Sequence, residues 1–164
     1  MVAVEAALIT ELESLRRSYD RLSRDVGGRI NFACDLDNDD ALKVAEQEKV
    51  HLDQAFFVLS FAALEVQVTS LACARSERED RKAAMRGRKF EDRWDAAAKV
   101  AEETLKLAVP WARTRAEVLS WYNIRSDIAH GRPPTQLADV PSVLYRADEI
   151  ATTLRKVASA LGAE

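Results

Sequence analysis

Near the end of the chain, a few residues combine side chains able to handle phosphate chemistry. Arg125 is followed by Ser126 and Asp127, and His130 stands five positions after the arginine. His130 is one of only two histidines. Imidazole titrates near neutral pH and can take or return a proton. Guanidinium stays charged and can fork onto two phosphate oxygens. RNA brings its own nucleophile, the 2′-hydroxyl. Cleaving it without a metal needs a base, a cation on the phosphate and the right geometry. Arg125 and His130 meet that need in residue type. Ser126 could position the phosphate or the imidazole, and Asp127 could fix the tautomer of the histidine. Arg132 adds a cation just beyond. Tyr122 and Trp121 are candidate stacking surfaces for bases, although both also suit a core.

The structural alternative is simple. A histidine at a helix C-terminus interacts favourably with the last carbonyls and the helix dipole. Arg125 could sit in an ordinary ion pair. On an ideal helix Arg125 and His130 lie about 140° apart, so they do not share a narrow face. The length of the arginine, an unwound last turn or a second subunit would have to bring them together.

These residues need a helix to carry them, and the sequence supplies one. Thr114 and Glu117 have capping-box spacing, Trp121, Ile124 and Ile128 form an apolar stripe, and Gly131 with Pro133-Pro134 marks the stop. The other elements follow from periodicity. Leu8, Leu12, Leu15, Tyr19 and Leu22 predict an amphipathic helix over Val4–Val26, ended by Gly27-Gly28. A second helix is expected over about Asp40–Ala74, apolar almost all round in its middle and therefore central. Trp94, Ala98, Ala101 and Leu105 give a third, ending before Pro110. Ser142 to Leu161 gives the last. The expected fold is all-α, an up-and-down bundle of four main helices plus one, in a single domain over residues 1–164.

Composition agrees with a soluble globular chain, at 48% hydrophobic and 31% charged residues. The net charge of −3 does not itself advertise a nucleic-acid partner. It is unevenly spread. Residues 75–93 hold eight bases and five acids, whereas residues 1–53 hold seven and twelve. Arg86, Arg88 and Lys89 form the most basic patch, a candidate contact for a phosphate backbone or a solvated connection between helices. Two distant cysteines indicate no disulfide framework. The N-terminal stretch lacks a basic and then apolar signal pattern, and the most apolar run, Ala55 to Leu64, is half of what a membrane span needs. A cytoplasmic location without membrane contact is expected.

Three groups of residues resemble sharper motifs but also have plain roles. Asp35, Asp37, Asp39 and Glu46 imitate the spacing of a calcium-binding loop, but Asp40 stands where the tight turn needs glycine. Helix capping by Asn38 or Asp39 accounts for the same residues. His51, His130, Cys34 and Cys73 fit no zinc pattern. Glu65 interrupts the apolar second helix, so it should reach solvent or an arginine; orienting Arg125 is the most specific option. No metal and no cofactor is expected, and no phosphate-binding glycine loop is present.

The order Arg125, polar Ser126, three residues and His130, close to a helix end, resembles the motif of the HEPN superfamily of nucleotide-binding helical domains. Ile128-Ala129-His130-Gly131 is similar to its local context. Ser126 stands where that family more often has Asn, Asp or His. The resemblance implies a metal-independent endoribonuclease in which the arginine and histidine cut RNA, commonly with two subunits joining their motif helices. It implies a homodimer, a toxin–antitoxin or phage-defence setting, and a possible antitoxin or nucleotidyltransferase partner protein. The alternative implication is a HEPN-like module that binds RNA or a nucleotide, or dimerises, without cutting.

Overall fold

The structure, a computed structural model, describes residues 2–74, 79–105, 111–132 and 139–162. Among these residues six helices follow one another: α1 (Val2–Asp35), α2 (Asp39–Cys73), α3 (Glu79–Arg86), α4 (Phe90–Leu105), α5 (Trp111–Ala129) and α6 (Val140–Leu161). No strand occurs among the described residues. The expected all-α bundle is observed. The charged stretch after α2 adds a short helix, α3, where a solvated connection was the plainer expectation.

Helix α2 is the hub, in contact with every other helix. Its Phe57, Phe61, Leu64 and Val68 are almost fully buried. They belong to one cluster with Phe90 and Trp94 of α4, Val118 and Trp121 of α5, and Ile150, Leu154 and Val157 of α6. This explains why its middle is apolar on several sides. By length and composition α2 also resembles a membrane-crossing helix, but 56% of its most apolar window is buried inside the bundle.

The ends are set by local chemistry. Asn38 caps α2 by accepting the Ala41 N–H at 3.0 Å, one of the two capping residues expected there. Asp139 caps α6, accepting from the Ser142 amide and hydroxyl. Thr114 is not a cap. Helix α5 already begins at Trp111, Thr114 is buried, and Glu117 reaches Arg146 of α6 at 3.4 Å. Pro110 and Pro133-Pro134 lie outside the described residues.

The largest departure from expectation is α1. It runs straight through Gly27-Gly28 to Asp35, although each mid-helix glycine costs about 1 kcal/mol relative to alanine. Packing against α2 overrides the local preference, with Val26 and Ala33 buried on either side of the glycines. The turn to α2 is then only Leu36–Asn38, with Asp37 in a left-handed conformation at φ 52°. Residues 39–46 are helical, so the twelve-residue loop of a calcium site does not exist. Between Leu22 and Val50 only Val26, Ala33 and Ala45 are buried. The distal halves of α1 and α2 therefore form a two-helix arm, with Phe32 65%, Leu36 59% and Val44 60% exposed.

Candidate functional site

The motif occupies the last turns of α5. Ile124 and Ile128 pack against the core cluster, as does Tyr122. This fixes the rotation of the helix and leaves His130 at its exposed end. The helix closes in a Schellman turn. Gly131 adopts φ 66°, its N–H reaches the Ile128 carbonyl at 3.1 Å, and the Arg132 N–H reaches the Asp127 carbonyl at 2.8 Å. The His130 N–H is shared between the Ser126 and Asp127 carbonyls, at 3.1 and 3.2 Å. The imidazole is thus presented from a defined helix end. It is five residues, or about 7.5 Å of axial rise, beyond Arg125.

Arg125 is half-buried, and its Nε is sealed from solvent with no hydrogen-bond partner. Five arginines are half-buried among the described residues: Arg93, Arg115, Arg125, Arg146 and Arg155. Four are in ion pairs, with Glu65, with Glu91 and Asp95, with Glu117 and Glu149, and with Asp148. Arg125 alone among them has no carboxylate. An unmatched guanidinium held partly out of water attracts an anion strongly, because lower local polarity magnifies the interaction.

Other expected roles are redistributed. Asp127 faces Arg132, with 3.3 Å between carboxylate and guanidinium; its described ion pair is with that residue and not with the histidine. Ser126 is half-buried and lends its backbone carbonyl to the helix end. Tyr122 stacks on Phe90, with ring centroids 5.4 Å apart and planes 11° from parallel, and it lies 6.0 Å from Phe61. Its ring is a core aromatic. Trp121 is likewise buried. Glu65 does not orient Arg125, for it pairs with Arg93 at 2.5 Å. Arg93 also donates to Thr69 Oγ1 at 2.7 Å and lies over the Phe90 ring.

The Phe90–Tyr122 stack has a second effect. Arg86, Arg88 and Lys89 are exposed in and around the turn that leads into Phe90. That turn is therefore tied to α5 one helical turn before Arg125. The basic patch and the motif, about forty residues apart in sequence, are brought to the same region of the bundle. None of the three cations has an ion pair among the described residues.

No group of three or more potential metal ligands gathers among the described residues. Cys34 and Cys73 are both free thiols, and His51 is exposed. The two described cavities lie along α1 and do not include the motif. A polar cluster without a sequence motif joins α1 to α2. Tyr19 of α1 donates to Asp53 of α2 at 2.9 Å, and Lys49 donates to both. It clasps α1 to α2. Comparison with protein-family models, curated proteins and solved structures finds no match.

Proposed function

We propose that Arg125 and His130 form the working centre of a metal-independent endoribonuclease of the HEPN kind. The observation that carries the proposal is the unmatched, half-buried guanidinium of Arg125, set on the same helix end as an exposed histidine. Arg125 would bind the scissile phosphate. His130 would take the proton of the 2′-hydroxyl as that oxygen bonds to phosphorus. The bond to the 5′-oxygen breaks, and that oxygen takes up a proton. The products are a 2′,3′-cyclic phosphate and a 5′-hydroxyl end. Arg86, Arg88, Lys89 and Arg132 would hold flanking phosphates. Tyr122 is left out of this scheme because its ring is engaged with Phe90.

The resemblance brings with it a homodimer, a toxin–antitoxin or phage-defence role and a cytoplasmic location, and these belong to the same proposal. A second reading is a module that holds RNA without cutting it. It is favoured by Ser126 in the polar position.

The test is RNA cleavage in EDTA. Wild-type protein should leave cyclic-phosphate ends, and His130→Ala and Arg125→Ala should each lose about a hundredfold or more in rate. Cleavage that survives His130→Ala overturns the nuclease. Tight binding that leaves RNA intact assigns the second reading instead.

A further inference from the structure

We infer that the outer face of α1 is a self-complementary surface that docks antiparallel on the same helix of a second copy of this chain, with Gly28 at the two-fold axis. Ser14, Arg17, Arg21, Arg24, Gly28, Asn31 and Asp35 follow one another at steps of three and four residues. All are exposed. Steps of this kind keep one stripe turned toward a partner helix. The stripe carries three arginines before Gly28 and Asp35 after it, and beyond it come Asp37 in the turn and Asp39 and Asp40 at the start of α2.

A two-fold pairing inverts the partner, so residues equally far before and after the axis face each other. Arg21 lies seven residues before Gly28, and Asp35 lies seven after it. Arg24 lies four before, and the exposed ring of Phe32 four after. Arg17 then comes opposite the acidic turn. Arg21 of each copy meets Asp35 of the other, and each arginine–aromatic pair can stack; Arg17, already paired with Glu13 in its own helix, adds less. Arg21 and Asp35 have no ion pair among the described residues. A groove of about 530 Å³ already runs beside Glu13, Ser14, Arg17, Ser18, Arg21 and Arg24.

The glycines supply an independent argument. A side chain at Gly27 or Gly28 would meet nothing within 4 Å, and both have helical backbone. Nothing among the described residues requires glycine there, yet glycine weakens the helix. Close approach of a second backbone is the requirement that glycine meets. The arm also buries little of its own surface, and a second arm laid on it makes four helices where there were two.

The inference does not depend on the nuclease reading. Helix α1 packs on α2 and α6, while α5 packs on α2 and α4. Pairing through α1 leaves both motif helices free and does not itself join them into a shared cleft.

The test is sedimentation of the full chain over a concentration series. Wild type should associate, and less so at high salt. Arg21→Asp and Asp35→Arg should each weaken the dimer about tenfold or more, and the double variant should recover most of the loss. Gly28→Leu should also weaken the dimer, while circular dichroism shows a helix content and melting point no lower than wild type. A wild-type chain that stays monomeric overturns the inference. So does a dimer that ignores the single reversals, or a double variant no better than its parents.

Discussion

Asp127 and Arg132 close α5 twice over. The carbonyl of Asp127 accepts the Arg132 amide at 2.8 Å, and its carboxylate meets the guanidinium at 3.3 Å. The ion pair is largely solvent-exposed on the arginine side, so it adds little. The backbone turn depends on Gly131 at φ 66°. Gly131→Ala should therefore cost about 1 kcal/mol through strain alone, lowering the melting point by about 2–4 °C. Asp127→Asn should cost less. If thermal melts rank the two variants the other way, the charge contact holds the helix end and the turn does not.

Arg125 offers a test that separates function from stability. Its buried Nε has no partner, and a buried donor left unmatched is unfavourable. Arg125→Met keeps the length and removes the donor. It should leave stability unchanged or raise it by about 1 kcal/mol, while abolishing any RNA cleavage. Urea unfolding that shows a clear loss would make Arg125 a structural residue.

Glu65 and Arg93 are expected to matter for folding only. Both are mostly buried, and Arg93 is held further by Thr69. Glu65→Gln leaves a charged guanidinium partly matched and should cost about 2 kcal/mol. Cleavage per folded molecule should not change. A variant with normal unfolding but lost cleavage would place Glu65 in the working site after all.

The Tyr19–Lys49–Asp53 clasp sets an alkaline limit. Burial, together with Asp53, raises the Tyr19 phenol above its ordinary 10.0. Burial pulls the Lys49 ammonium down, but hydrogen bonds to Asp53 and Tyr19 outweigh it and leave it above 10.5. Both folded values are raised, so both protonated forms are favoured by folding. Their contribution is full below the ordinary values and disappears as pH climbs through the folded ones. Stability from this source should be flat at neutral pH and fall in strongly alkaline solution. Tyr19→Phe should flatten that fall; an unchanged profile in urea unfolding would remove the clasp as its cause.

The helices themselves were legible because burial imposes a period, as Trp121, Ile124 and Ile128 show. Ends were less so. Gly27-Gly28 looks like a stop by local preference, but Val26 and Ala33 are held against α2, a contact no short window of sequence contains. Thr114 and Glu117 have the spacing of a cap, yet α6 takes Glu117 through Arg146. The motif could be seen as a string of residue types. Its most informative property, the missing counter-ion of Arg125, could not. Absence of a partner depends on where every carboxylate falls in space, and Glu65 falls beside Arg93.

Among the described residues α2 is the surface on which the other five helices rest, so removing it uncovers the faces they turn toward one another. Helices α4 to α6 expressed without it would present Phe90, Trp94 and Trp121 to water and clump. Damage at Phe57, Phe61 or Leu64 is therefore felt at the helix that carries the motif, because Trp121 and Val118 share their cluster, whereas the arm, with few buried side chains, can open on its own.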